Sequence, residues 1–345
     1  MKTRRLGSAG PRVSRVGFGS WAIGGPWRFG WGEVDDGESV AAIRHAIERG
    51  VNWIDTAAVY GLGHSEEVVG EAVKPFHAGE DVYLFTKCGR VWEGLPEGEV
   101  RNDLRPESIR RECEASLRRL GVERIDLYQF HWPDWTTGTP IEESWGVMAE
   151  LVDEGKVRWI GVCNHDVEQL ERCEAVRHVD SLQPQLSLLA RGARYELLPW
   201  ADGHGTGVIA YSPMASGLLT GAFDHGRVEQ LDPHDWRRGS PLFQEPGLAA
   251  SLAFVDGLRS LAERVSMTVP SLAVGWVLAQ QGVTGAIVGA RRPAQVDGWS
   301  AAGEGDLDEG VLRQIDELIA ETGAGTDERP LPPPHMREAT LGDAE

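Results

Sequence analysis

The chain has 345 residues, 41% of them hydrophobic and 25% charged, an ordinary composition for a folded protein of one large α/β domain or two smaller ones. Its formal charge of −19, from 53 acidic against 34 basic residues, argues against nucleic-acid or anionic-membrane partners, which need a basic footprint. No apolar run approaches the roughly 20 residues that span a bilayer, and Met1–Arg5 leads into a polar stretch rather than a signal core, so the reading is a cytoplasmic protein.

In chain order, Thr3–Leu6 and Pro11–Val13 read as a hairpin turned by Gly7-Ser8-Ala9-Gly10. Eight short apolar runs then follow as candidate strands: Val13–Phe18, Asn52–Asp55, Val82–Lys87, Ile125–His131, Val157–Cys163, Ser181–Leu186, Gly207–Tyr211 and Gly285–Gly289. Several are continuous rather than alternating, as parallel strands buried on both faces should be. Helical patterns lie between them at Ser39–Arg49, Ser65–Lys74, Pro106–Leu120, Ile141–Glu154 and Asp166–Cys173, and later at Leu248–Val265, Ser271–Gln280, Pro293–Ala301 and Asp308–Thr322. Ser65 is an N-cap type, Pro106 suits a first helical position, and Gly50, Gly121 and Gly155 sit where helices end.

Eight β–α units in this length predict a (β/α)8 TIM barrel with an N-terminal hairpin and extra C-terminal helices. The gap before the eighth strand is too long for one crossover, and Phe223–Gly247 reads as a loop insertion over the barrel mouth. Residues 1–328 form one barrel domain in this reading, and the Pro-rich 329–345 is a mobile tail. The rival is an open doubly wound sheet, whose GxGxxG fingerprint is absent: Gly17-Phe18-Gly19-Ser20-Trp21-Ala22 lacks the third glycine. Four cysteines without CxxC spacing read as reduced core thiols, and the ten histidines show no metal pattern.

In a barrel, reactive side chains gather where strands end. Asp55 ends the second strand, Tyr60 lies in the loop after it, Lys87 ends the third and His131 the fourth. A free tyrosine has a pKa near about 10 and donates poorly at neutral pH; an adjacent ammonium is expected to lower it. A buried carboxylate such as Asp55 keeps that lysine charged, and a neutral His131 orients a carbonyl. The set protonates an oxygen while hydride reaches carbon, and no side chain donates hydride, so a nicotinamide or flavin is implied.

These residues and their surroundings strongly resemble the aldo-keto reductase superfamily. The resemblance runs from about residue 3 to 320, through Gly17–Trp21, Asp55–Ala57, Tyr60–Glu66, Thr86-Lys87, Gln129–Pro133, Gly161–Asn164, Gln183 and Tyr211–Gly221. It implies a barrel binding NADP(H) at the strand C-termini, with Tyr60 as general acid/base tuned by Lys87 and Asp55. By the same resemblance Tyr211 stacks on the nicotinamide, while Asn164 and Gln183, beside Cys163, hold its carboxamide. Gly19, Ser20 and Trp21 adjoin the cofactor, and Ser212, Pro213, Met214, Ser216 and Leu218 line the pyrophosphate path. Gly289, Arg291, Arg292 and Gln295 form the adenine end. The arginines there suit the 2′-phosphate of NADPH, with NADH the less favoured cofactor. Trp21-Ala22-Ile23-Gly24-Gly25 and the form of the seventh loop are similar to the bacterial general-stress and inositol-cluster branch.

Two segments depart from the family pattern: Cys163 stands where a serine is common, and Gly298-Trp299 where a Glu-Asn pair is common at the adenine end. Trp21, Trp27, Trp31, Trp92 and Trp132 suggest an aromatic wall around a small carbonyl substrate, with Trp92 and Trp132 its foremost contacts. The superfamily also includes channel-associated subunits that bind NADPH and turn over slowly. A nucleotide-sensing partner protein is therefore the alternative to a reversible carbonyl reductase. A phosphosugar isomerase or lyase barrel is disfavoured, because Gly203–Gly207 precedes the seventh strand at the wrong end. Oligomeric state is not legible.

Overall fold

The structure, a computed structural model, describes residues 1–27, 29–92, 99–232 and 235–328. Eight parallel strands close into a barrel in chain order: Val16–Gly19, Trp53–Asp55, Tyr83–Cys88, Ile125–Phe130, Val157–Cys163, Ser181–Gln183, Gly207–Ala210 and Val283–Gly289. The eighth pairs with the first, Ala286 to Val16 through Gly289 to Gly19, so no edge is left open. Helices cover the outside, including Asp36–Glu48, His64–Val73, Pro106–Leu120, Ile141–Asp153 and Val167–Glu174. This is the expected (β/α)8 barrel.

Several boundaries differ for physical reasons. The first barrel strand begins at Val16, because Val13 belongs to the hairpin, whose strands Thr3–Arg5 and Arg12–Ser14 pair antiparallel. The sixth strand stops at Gln183, since Pro184 has no N–H to continue the ladder. The seventh stops at Ala210, although Tyr211 still bridges Gln185. The first barrel helix starts earlier than expected, at Asp36, because Asp35 accepts from Glu38 N at 2.8 Å. Ser65 is not a cap: its hydroxyl turns inward to Ser20, and Gly63 occupies the N-cap position. The expected Pro293–Ala301 helix is split into Pro293–Asp297 and a turn of 3₁₀ helix, Ser300–Gly303.

The elements that escaped the sequence include the short helix His225–Glu229 within the insertion, a longer helix and a strand pair. Helix Leu197–His204 carries Pro199 in its first turn, where a missing N–H costs nothing. A two-residue pair, Arg90–Val91 with Arg101–Asn102, is too short to show a period. The Pro-rich segment 329–345 lies outside the described residues. All four cysteines are free and buried, and no described helix is long and apolar enough to cross a membrane.

The barrel interior has its own apolar plug. Trp53, Phe85, Leu127, Ile209 and Ile287 fill it from the strands, while Leu6 and Val13 enter from the hairpin beneath. Trp53 is fully buried, packs at a tilt against Phe85 with ring centroids 5.2 Å apart and donates Nε1–H to Ser14 O at 2.8 Å. Its ring needs Gly17: a Cβ there would lie 2.2 Å from the indole. The plug fills the lower barrel and pushes the polar interior residues to the upper end. Trp53→Ala should therefore cost about 3–5 kcal/mol in urea unfolding; a loss under about 1 kcal/mol would show that the plug does not hold the barrel.

Candidate active site

The polar layer sits on top of this plug and is built by strand ends. Asp55 is the last residue of the second strand, and its register partner is Phe85 in the third. Two residues further on, Lys87 faces the same interior. Lys87 Nζ donates to Asp55 Oδ1 at 2.5 Å and to Thr56 O at 2.8 Å. Asp55 Oδ2 accepts from Gln183 Nε2 at 2.9 Å. Asp55, Lys87 and Gln183 are each at most 3% exposed. Every charge in the layer is thus paired and hydrogen-bonded, which buried ions require.

Tyr60 is delivered by a strained turn. Gly61 at φ +61° is followed by Leu62 at φ +56° and Gly63 at φ +104°. A Cβ on Gly61 would lie 1.8 Å from Gly24 O, so only glycine lets the second loop touch the first. The ring of Tyr60 keeps a half-buried edge, with Lys87 Nζ 5.3 Å from its centroid. His131, directly after the fourth strand, meets that ring edge-on at 5.5 Å. The four residues expected together are together.

Their protonation follows from these neighbours. Burial is the largest influence and works against the Lys87 ammonium, but the charge and hydrogen bond of Asp55, joined by Tyr60 and Cys163, together hold the lysine above its ordinary value. Burial pushes the Tyr60 phenol up to about 12, and the opposing pull of Lys87 is smaller. The expected lowering of Tyr60 is therefore corrected: the phenol is kept protonated. Burial, then the charges of Lys87 and Arg90, holds His131 well below its usual range, so it is neutral.

The remaining residues form a rim around this centre. Asn164, at φ +64°, donates to His131 O at 3.1 Å and accepts from the Tyr211 hydroxyl at 2.8 Å. Cys163 is buried beside Gln183, its thiol 3.8 Å from Oε1. Ser212, Ala215 and Ser216 all have positive φ, and the loop leaves Ser212, Met214 and Ser216 half-buried while Pro213 and Leu218 are covered. Ser20 is fully buried and tied to Ser65 at 2.8 Å, next to Gly19 at the end of the first strand. Gly289 is exposed at the end of the eighth. Beyond it, Gln295 Oε1 accepts from the backbone N–H groups of Arg291 and Arg292. Arg291 reaches the carbonyls of Trp31 and Glu33, and Arg292 pairs with Glu38 at 2.9 Å. Trp299 is buried in the core, and Gly298 has no side chain.

The tryptophans divide. Trp27 lies 6.3 Å from Tyr60, and Trp21 packs on Trp31 at 5.7 Å. Trp236 and Arg237 of the insertion close on Trp21 and Trp31 from the other side, at 5.5 and 5.0 Å. The insertion therefore reaches the first loop across the mouth, as expected. Trp92 instead lies over Arg119, and Trp132 packs on Trp135.

The sequence reading missed two supports. Glu66 is fully buried, accepting from Thr86 at 2.6 Å and from Arg119 at 2.6 Å, which locks the Tyr60 loop to the Lys87 strand. Gln129 accepts from Gln183 at 3.3 Å inside the barrel. Glu66 stood in a motif already singled out, but nothing in it signalled a partner 53 residues away.

The sequence profile described as the Aldo/keto reductase family matches residues 15–320. The chain belongs to that family. It is 38% identical over 315 residues to an aldo-keto reductase of Bacillus subtilis, covering 89% of this chain and 92% of that one. It is 36% identical to the NADH-specific methylglyoxal reductase of Escherichia coli, covering 92% and 99%. Among solved structures, the glycerol dehydrogenase AKR11B4 from Gluconobacter oxydans superposes with a TM-score of 0.84 at 39% identity, covering 96% and 98%. An aldo-keto reductase from Klebsiella pneumoniae in complex with NADPH does so with 0.68 at 29%, covering 92% and 94%. The aldo-keto reductase is thus an oxidoreductase of the carbonyl-reducing type, with a small-molecule substrate.

The ion pair gives a stability prediction. Because the native pKa of Lys87 is raised, its contribution is fully present below the unfolded value near about 10.4 and lost only as pH rises through the native value. In Asp55→Asn the charge that opposes burial is gone, and burial, the largest influence on Lys87, should reverse the sign. The variant should lose about 3–5 kcal/mol at neutral pH, and recover up to about 1.4 kcal/mol per pH unit as the solution approaches pH 10. Urea unfolding at several pH values measures this, and a deficit independent of pH would contradict it.

Proposed function

We propose that the enzyme reduces an aldehyde or ketone to an alcohol with NADPH, reversibly, and that Tyr60 delivers the proton. The observation that carries this is a protonated phenol held against a lysine that Asp55 keeps charged, with a neutral histidine at the phenol's edge. The rim residues fit a dinucleotide: a flat Tyr211 ring beside the Asn164 amide, serines on a left-handed loop, and two guanidinium groups beyond the eighth strand. Bound there, the cofactor would supply hydride to the carbonyl carbon.

The chain's own groups do the rest. His131 donates a hydrogen bond to the carbonyl oxygen and aims it at Tyr60. The Tyr60 proton passes to that oxygen as negative charge develops on it. The resulting phenolate faces the Lys87 ammonium, which stabilises it without moving, because Asp55 and Thr56 O hold it in place. In the reverse direction the phenol must first lose its proton, which its raised pKa opposes.

The wall points to an oxygen-bearing substrate, such as a sugar- or polyol-related carbonyl. The indole N–H groups of Trp27, Trp31 and Trp236 are buried without a partner among the described residues, and so is His131 Nδ1. Substrate hydroxyls would satisfy such donors. NADPH is preferred in this reading because a 2′-phosphate can displace Glu38 from Arg292, an exposed pair worth at most about 1 kcal/mol.

Tyr60→Phe should lower kcat by about 10²- to 10⁴-fold and leave NADPH affinity unchanged; normal turnover in that variant would refute the assignment. Alcohol oxidation should climb with pH across the neutral and alkaline range while carbonyl reduction stays nearly flat. Parallel profiles would contradict a phenol held near 12.

A further inference from the structure

We propose that Gln183 is a positioning residue for Asp55, and through it for Lys87 and Tyr60. The proposal rests on the reading above, in which Tyr60 is the proton donor.

The hydrogen bonds around Asp55 divide its carboxylate cleanly. Oδ1 is taken by Lys87 at 2.5 Å and Oδ2 by Gln183 at 2.9 Å. The second N–H of Gln183 goes to Gln129 Oε1 at 3.3 Å. Both donors of the Gln183 amide are thus committed inside the barrel. Its orientation is dictated by chemistry: turned over, the amide would set Oε1 against a carboxylate, two acceptors with no proton between them. Gln129 Oε1 accepts the other N–H, while Gln129 Nε2 has no partner among the described residues. Gln183 Oε1 accepts from the buried Cys163 thiol at 3.8 Å and keeps a second lone pair.

A buried carboxylate with one oxygen unsatisfied is held less firmly and is easier to protonate. Loss of the Gln183 donor would weaken Asp55 as an anion, loosen Lys87 from Thr56 O and remove the fixed charge that receives the Tyr60 phenolate. A residue that only gripped the cofactor's carboxamide would not produce this chain of effects. Its Oε1 can still accept from that carboxamide, so one amide joins the cofactor's place to the ion pair.

Two variants test the role. Gln183→Leu removes the donor and should lower kcat by about tenfold or more at every pH, since displacement of a fixed group is costly. Gln183→Glu keeps the shape but sets two carboxyl groups at hydrogen-bond distance, where they share one proton. With that proton the introduced carboxyl can donate to Asp55, so this variant should be active at low pH and lose activity as pH rises, unlike wild type. NADPH affinity, read by quenching of tryptophan fluorescence, should fall by no more than about tenfold in both, because only one carboxamide hydrogen bond is touched. Thermal unfolding checks that both variants fold.

A Gln183→Glu profile parallel to wild type would overturn the proposal. So would a Gln183→Leu enzyme with normal kcat and a much weakened NADPH affinity. Either result can occur while Tyr60→Phe is inactive, which separates this proposal from the reading it rests on; an active Tyr60→Phe would remove that reading instead.

Discussion

The structure depends on one buried ion pair, Lys87 with Asp55, at the upper end of the barrel interior. Two charges out of water cost several kcal/mol each unless geometry and hydrogen bonds compensate. Here they do: the ammonium has the carboxylate and the Thr56 carbonyl, and the carboxylate has the ammonium and the Gln183 amide. Such a pair is not an efficient way to stabilise a fold, and apolar residues of similar volume would serve as well. Its worth lies in holding a positive charge immobile beside a phenol.

The fold supplies that immobility from two directions. Below, Trp53, Phe85 and the hairpin residues Leu6 and Val13 fill the barrel with apolar side chains beneath the pair. At the side, Glu66 ties the Tyr60 loop to Thr86 of the Lys87 strand and to Arg119 of the third crossover helix. Ser65 ties the same loop to Ser20 and Thr56. The Tyr60 turn is thus fixed against the first and third strands, and its glycines allow the close approach that a side chain would block. The insertion then brings Trp236 and Arg237 onto Trp21 and Trp31, so the mouth is roofed by aromatic rings.

Most of the architecture was legible because the strands are short apolar runs separated by capped helices. Asp55, Lys87 and His131 were legible because each breaks or ends such a run, and strand ends in a barrel share one face. Helix Leu197–His204 was hidden by Pro199 and Gly203, and the Arg90–Asn102 pair by its two-residue strands. The protonation of Tyr60 was read with the wrong sign. Sequence shows a charged neighbour but not how deeply the phenol is buried, and burial is the larger effect. By resemblance Gln183 holds the nicotinamide carboxamide; that its donors turn to Asp55 and Gln129 was not legible. A polar residue between apolar neighbours does not reveal which way its amide turns.

Lys87 is a charged group at neutral and mildly alkaline pH, fixed by Asp55. Nitrogen-15 NMR of lysine-labelled protein, with the Lys87 signal assigned through Lys87→Arg, reads this charge directly. Lys87 should give an ammonium signal that does not titrate up to about pH 10, where free lysines begin to lose their protons. A midpoint well below that value would mean that burial defeats the ion pair and that no fixed charge stands beside Tyr60.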